Sequence, residues 1–330
     1  MKVKKQNKNQ EYSGWPSTGG IMEEQQYNEL YISLLPMFSE IIENENLHES
    51  MIPEFLNIHI PLASWLAKKH SDKPIIIGIN GAQGSGKSTL SVILKSLLEK
   101  AFYKSVLHLS IDDLYLSREK REENARKIHP LLRVRGVPGT HDVELGNKIL
   151  TELVNPDSFM NIQIPVFNKA QDDLVDKEHW QCVERPVDII LFEGWCVGIK
   201  PQHKNELEPA INELEKKEDP DGIWRKHVNR QLSESYQSLF SYINYLIMLK
   251  VPDMDSVFEW RSLQEEKLAA SFDKDKMHSH IMSSAEIAHF IMHYERLTRA
   301  CLSEMPGRAD IVLELNKKHK IHNIKMKGSA

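Results

Sequence analysis

The sequence predicts an α/β protein with a doubly wound parallel sheet, and three observations carry that reading. Ile75 to Ile79 is a continuous apolar run rich in β-branched residues, the pattern of a strand covered on both faces. Further runs of this kind follow at Val106 to Ile111, Val187 to Phe192, Tyr245 to Val251 and Ala309 to Leu315. Helical patterns fill the intervals, and strand–helix–strand repetition places helices on the faces of a parallel sheet.

The elements before the first strand read as helical. Residues 1–20 are polar, rich in lysine and asparagine and closed by a Gly-Gly pair, a composition expected of a poorly ordered leader. Tyr27, Leu30, Tyr31, Leu34, Leu35, Phe38, Ile41 and Ile42 recur at three- and four-residue spacing, which predicts an amphipathic helix that Pro36 kinks or breaks. A second helix is predicted to start with Pro61 at its first position, carry Leu62, Trp65 and Leu66 inward, and stop at Ser71 to Pro74. Residues 21–73 thus form a helical cover with no catalytic pattern. Beyond the third strand run, the charged stretch 200–241, with Pro220-Asp221-Gly222 as a turn between two helical segments, reads as a helical insertion in a single domain of residues 21–330.

Composition restricts the partners. With 42 Lys and Arg against 47 Asp and Glu the net charge is −5, which argues against general nucleic-acid or acidic-membrane binding, because counterion release needs a basic surface. An anionic ligand must be met by a local basic cluster. Cys182, Cys196 and Cys301 are scattered and form no C-x-x-C pair, the usage of a reducing compartment. No apolar run of about 18 residues and no secretory apolar region occurs, so the expected location is the cytoplasm, with no membrane partner.

The turn after the first strand carries the chemistry. Gly81-Ala82-Gln83-Gly84-Ser85-Gly86-Lys87-Ser88 meets G-x-x-x-x-G-K-[ST] at every fixed position, entered by a strand and left by the helical stretch Thr89 to Lys100. Glycines let the backbone approach phosphate, and consecutive N–H groups and the helix N-terminus converge on it. Residues 81–89 are therefore the expected ATP contact, with Lys87 reaching the β and γ phosphates and Ser88 offering its hydroxyl to Mg²⁺. A chance glycine-rich turn is the alternative, and the matched strand and helix weigh against it. The fold narrows to a P-loop NTPase sheet.

A P-loop alone does not separate a kinase from a GTPase, a motor or a transporter subunit, so the ends of the other strands matter. Val106 to Ile111 runs into Asp112-Asp113-Leu114-Tyr115. A carboxylate there accepts the proton of a substrate hydroxyl or helps order Mg²⁺, or else caps the following helix. Asp112 is the stronger candidate base, with Asp113 and Tyr115 as candidate acceptor contacts. Val187 to Phe192 ends in Glu193-Gly194, so Glu193 is expected to hold Mg²⁺ through water, unless it is only a surface glutamate after a strand. Cys196 nearby reads as a small buried residue, since phosphoryl transfer needs no thiol.

Two loops are candidates for the acceptor. Arg133-Val134-Arg135-Gly136-Val137-Pro138-Gly139-Thr140-His141-Asp142 combines two guanidinium groups with turn residues and a hydroxyl, and arginine forks suit carboxylates and phosphates. Ile164 to Asp173 adds Lys169. Arg133, Arg135, Thr140, His141 and Lys169 are thus candidate substrate contacts, although solvated side chains explain either loop taken singly. Downstream, Arg261 in the helical stretch Phe258 to Glu265 is either a lid residue closing over the phosphates or a structural arginine on a solvated face. His289 and His293 resemble half a metal site, without a third ligand nearby.

Taken in order, GAQGSGKST, SIDDLYL, RVRGVPGTHD, IPVFNKAQDD, LFEGWCVG, FEWRSLQEEKL and HYERLTRA resemble the P-loop D-glycerate 3-kinases of plants and fungi and their bacterial relatives, within the wider group of uridine kinase, phosphoribulokinase and pantothenate kinase. The resemblance covers Pro74 to Ile321, and RGVPGTHD and NKAQDD are its discriminating stretches. It implies a parallel five-stranded sheet of nucleoside-monophosphate-kinase type, ATP with Mg²⁺, and phosphorylation of a small alcohol, with D-glycerate the leading acceptor. By analogy Asp112 is the general base, Arg133, Arg135, Thr140 and Lys169 fall in the substrate region, and Arg261 falls in the lid. The rivals are a kinase of a nucleoside or pantothenate-like alcohol and a non-catalytic ATP-binding regulatory protein, which would need no base.

Overall fold

The computed structural model describes residues 24–155, 161–271 and 282–328, and the expected leader at residues 1–20 lies outside them. Each predicted strand run overlaps a strand: β1 Ile75–Gly81, β2 Val106–Ser110, β3 Ile189–Gly194, β4 Tyr245–Lys250 and β5 Ile311–Leu315. These pair in parallel in the order β5-β4-β1-β3-β2. A sixth strand, β6 Ile321–Met326, adds antiparallel to β5, which corrects the five-stranded sheet implied by the resemblance. A register shift between Ile321 and Asn323 hides β6 in the sequence, because it puts the buried Ile321 and Ile324 three residues apart and destroys the period of two.

Because β1 to β5 alternate their side chains between two covered faces, the sheet has a core on each side. Ile77, Leu191 and Ile247 join one core, and Ile76, Ile190 and Met248 join the other. Helix α1 (Glu24–Asn44), α2 (Ile60–Lys69) and the P-loop helix α3 (Lys87–Phe102) cover the first face. Phe38 and Phe55 stack there with ring centroids 4.2 Å apart. Pro36 does not break α1. Its ring and Ile32, whose carbonyl it leaves without a helical donor, both lie on the exposed side, where water can serve that carbonyl.

The second face is covered by α5 (Val143–Leu153), α8 (Ser284–Glu304) and the connection from β3 to β4. That connection contains the charged stretch 200–241, whose Trp224 on α6 (Ile223–Ser233), Leu232 and Tyr236 are buried in this core. Most of its charges are exposed, and the buried ones are paired. Arg225 binds Asp219 at 3.0 Å, and Arg296 of α8 grips Glu215 at 2.6 Å while donating to the carbonyls of Glu206 and Pro209. A buried guanidinium is tolerated when its donors are filled in this way. No helix among the described residues is long and apolar enough to cross a membrane.

His59, buried where the N-terminal helices meet, makes stability depend on pH. Burial lowers its pKa to about 4. Below about pH 6.5 the unfolded chain takes up a proton that the folded chain refuses until about pH 4, so the stability present at neutral pH is lost as the pH falls through that window. The unfolding free energy should drop by on the order of 2 kcal/mol between pH 7.5 and pH 5 from this group, and His59→Leu should shrink the drop by that amount. Urea melts of both proteins at both pH values check this.

Candidate active site

β1 delivers the chain into the turn 81–86, and α3 carries it away from Lys87. Gly84 and Gly86 have φ of 74° and 91°, the left-handed region that costs other residues. At Gly84 a side chain also has no room, since a Cβ would lie 3.0 Å from Trp260 Cβ. Lys87 Nζ curls back to donate to the Ala82 carbonyl at 3.0 Å, and burial lowers its pKa against the opposing pull of Glu193 and Asp112. Ser88 Oγ donates to Glu193 Oε1 at 2.9 Å. Thr89 Oγ1 faces Glu45 Oε2 of the N-terminal cover at 3.5 Å.

The sheet register brings the acids to this turn. β3 lies between β1 and β2, with Gly194 opposite Asn80 and Glu193 opposite Ser110. Glu193 is buried, not a surface residue, and its carboxylate stands 3.8 Å from His108 Nε2. Burial would raise its pKa, but His108 and Lys87 outweigh that and hold it ionised. Its carboxylate and the Ser88 hydroxyl offer only oxygen, which suits a Mg²⁺ that takes its remaining ligands from phosphate and water. Among the described residues no three His, Cys, Asp or Glu side chains form a protein-only cage. The His289–His293 pair is otherwise engaged: His289 Nε2 contacts Glu218 at 2.8 Å, and His293 Nδ1 donates to the His289 carbonyl.

Asp112 does not cap the short turn Ile111–Leu114. Ser110 does, accepting from the Asp112 amide at 3.2 Å, and the Asp112 carboxylate is left to other partners. Tyr115 Oη donates to its Oδ1 at 2.8 Å and Lys169 Nζ to its Oδ2 at 2.6 Å. Burial pushes its pKa up, but Lys169 and Tyr115 prevail and the carboxyl is held below its usual range. Asp113 takes the structural task instead, accepting from the Phe167 amide at 3.3 Å, and burial raises its pKa. Cys196 is buried, and burial raises its thiol, as suits a packing residue.

The predicted acceptor loops meet here, but their side chains divide into different tasks. Arg135 is ion-paired with Asp172, a partner that the sequence reading missed. Arg121 on α4 (Arg118–Lys127), also missed, is almost wholly buried and donates to the carbonyls of Leu116, Arg133 and Asp172 at 3.2, 2.8 and 2.6 Å. It ties three loops together; nothing in its charged surroundings, REKREENARK, signals burial. Arg133 has an exposed guanidinium with no hydrogen bond or ion pair among the described residues.

Thr140 corrects the expectation of a substrate contact. Its fully buried hydroxyl donates to the Val137 carbonyl at 2.7 Å and accepts from the Gly136 amide at 3.0 Å, so it shapes the turn. His141 is buried, stacked on Tyr115 with ring centroids 4.5 Å apart. Tyr236 Oη accepts from the Gly139 amide and stands 2.6 Å from His141 Nδ1, which leaves Nε2 as the other ring nitrogen. That Nε2 has no partner among the described residues, and burial lowers the histidine's pKa to about 4, which keeps it neutral.

Helix α7 (Met254–Ser271) leaves the end of β4 and lays Trp260 on Gly84. Trp260 in turn stacks on His319 with centroids 4.1 Å apart, and His319, exposed in the β5–β6 hairpin, stands 3.8 Å from where a Cβ on Gly86 would be. Arg261 is therefore beside the P-loop, but its guanidinium is held by Glu265 at 2.6 Å and lies 5.5 Å from the Phe290 ring centroid. Asn80 is a further missed residue. Its side-chain amide donates to the Trp195 and Val197 carbonyls at 3.0 and 2.9 Å, locking the segment after Glu193 to β1.

No family model matches the chain. Over 235 residues it is 33% identical to a protein described as uncharacterized kinase mug58 of Schizosaccharomyces pombe, covering 68% of this chain and 80% of that protein. Over 285 residues it is 31% identical to the chloroplastic D-glycerate 3-kinase of Arabidopsis thaliana, covering 82% of this chain and 58% of the plant enzyme, so the match spans little more than half of that protein. The fold is that of D-glycerate 3-kinase from Cryptococcus neoformans, with a TM-score of 0.65 at 22% identity, covering 81% of this chain and 97% of that one.

Gly84→Ala should test whether the turn carries the phosphates. The left-handed φ and the Trp260 contact both oppose a methyl, so ATP affinity should fall at least about tenfold with the fold intact. Titration with a fluorescent ATP analogue measures it, and an unchanged affinity would dissociate this turn from nucleotide binding.

Proposed function

This chain belongs to the P-loop small-molecule kinase family that includes D-glycerate 3-kinase, and on that basis we propose that it transfers the γ-phosphoryl group of ATP to a hydroxyl of D-glycerate, giving phosphoglycerate. The observation that carries the reading is the ionised Asp112, set beside the Ser88–Glu193 pair and flanked by Lys169 and the Arg135 loop. A binding module would need no such acid, and a neutral acceptor would need no such cations.

In the proposed reaction the amides of residues 82–88 cradle the triphosphate, and Lys87 exchanges the Ala82 carbonyl for phosphate oxygens. Ser88 and Glu193 would hold Mg²⁺, which neutralises charge on the β and γ phosphates when bound. Asp112 orients the acceptor hydroxyl in line with the γ-phosphorus and takes its proton. Tyr115 fixes that carboxylate through Oδ1. Arg261 leaves Glu265 to meet charge developing in transfer. Lys169 and Arg133 attract the glycerate carboxylate. The free thiols of Cys182, Cys196 and Cys301 suit a cytoplasmic location.

The test is ADP release from ATP and Mg²⁺ with a panel of D-glycerate, other hydroxy acids, nucleosides and pantothenate. D-Glycerate is expected to stimulate release most. Stimulation by a nucleoside or pantothenate instead would reassign the acceptor, and a rate equal to the acceptor-free rate for the whole panel would end this reading. Lys87→Ala and Asp112→Asn should each lower kcat/KM by a factor on the order of 10³, with Asp112→Asn still binding ATP. Turnover like the wild type in Asp112→Asn would remove the base role.

A further inference from the structure

We propose that Lys169 is a removable cap on the base: its ammonium occupies Asp112 until the carboxylate of a hydroxy acid draws it away, so Asp112 is released only when an acidic acceptor is seated. The inference rests on the reading of Asp112 as the base and adds to it how the site selects its acceptor.

Three observations support it. Both Asp112 oxygens are already bonded, Oδ1 to Tyr115 at 2.8 Å and Oδ2 to Lys169 at 2.6 Å. An oxygen paired with an ammonium at that distance is a poor proton acceptor, because the proton would have to compete with a fixed positive charge. The two partners also differ in freedom. Tyr115 is 4% exposed and clasped between the rings of His141 and Phe167, whereas the Lys169 side chain is 62% exposed. Lys169 sits in the turn between the short strands Phe167–Asn168 and Asp173–Leu174, so it is the partner that can leave.

The third observation is what surrounds Lys169. Arg135 opposes its charge, and the only carboxylate bonded to Arg135 among the described residues, Asp172, is shared with the buried Arg121. A second carboxylate entering here therefore meets cations that are under-compensated, and Lys169 is the mobile one. Once Lys169 turns to that carboxylate, Oδ2 is open to the hydroxyl of the same molecule. The hydroxyl oxygen then bonds to the γ-phosphorus, the bond from that phosphorus to the β–γ bridging oxygen breaks, ADP leaves with the bonding electrons, and the hydroxyl proton passes to Asp112. Water could replace the hydroxyl and yield ADP and inorganic phosphate. The cap disfavours this while no acidic acceptor is present.

The ligand class is thus a small acid with its carboxylate a few bonds from the reacting hydroxyl, and discrimination against neutral polyols should show in kcat as well as KM. Lys169→Met keeps the length of the stem and removes the charge at an exposed position. We expect ATP hydrolysis without acceptor to rise at least about fivefold, and the ratio of kcat with D-glycerate to kcat with glycerol to fall at least about tenfold. Lys169→Arg, which keeps a cation against Asp112, should change both values less than Lys169→Met does. If acceptor-free hydrolysis and the ratio are both unchanged in Lys169→Met, the cap is refuted, whatever the wild type does with D-glycerate. If the wild type is inert toward D-glycerate while Lys169→Met hydrolyses ATP faster, the glycerate reading falls and the cap stands.

Discussion

The pairing of β3 between β1 and β2 is the constraint on which the site depends. It sets Glu193 beside the P-loop and one strand away from Ser110, so the turn Ile111–Leu114 opens at the same carboxyl edge. Glu193 is thereby held by the backbone ladder itself, and the turns that carry Lys87 and Asp112 are anchored at the ends of neighbouring strands. A parallel sheet buried on both faces is well suited to this, because slipping any strand by one residue would move its apolar side chains from one core to the other.

Loops supply the proposed acceptor side, and a few buried polar groups give them a fixed shape. Arg121 closes the carbonyls of Leu116, Arg133 and Asp172 around one guanidinium. Tyr294 and Trp195 hold the carbonyls of Arg135 and Gly136 at 3.0 and 2.9 Å, and Thr140 completes the turn. A planar fork with five donors can join several chain segments at once, which a lysine cannot do. The exposed charges, Lys169 and Arg133, are left at the surface of this frame, an arrangement that in the proposed reaction lets a substrate exchange partners without moving the backbone.

The helical cover and the β3–β4 connection have related roles. Each completes one core of the sheet, and each touches the site: Glu45 faces Thr89 at the start of α3, and Tyr236 orients His141. The charged composition of the stretch 200–241 conceals this role, since its few buried charges, Arg225, Asp219 and Glu215, are each neutralised by a partner. Hydropathy patterns register the charges and not their partners.

By itself the sequence determined the strands β1 to β5, the phosphate-binding turn and the strand-end acids, because each is written in contiguous residues: β-branched runs, glycines at fixed spacing, an acid after an apolar stretch. The helix through Pro36 and the bulged β6 were less legible, since exposure and a register shift decided them. Only the tertiary structure decided which polar residues of the loops stay exposed and which hold the loops. Ser88 meets Glu193 across 105 residues, Lys169 meets Asp112 across 57, and Arg135 meets Asp172 across 37. Short-range Coulomb and hydrogen-bond energies depend on these separations in space, which no local pattern encodes, so Thr140, expected at the substrate, and Arg121, set in a run of charges, both hold loops.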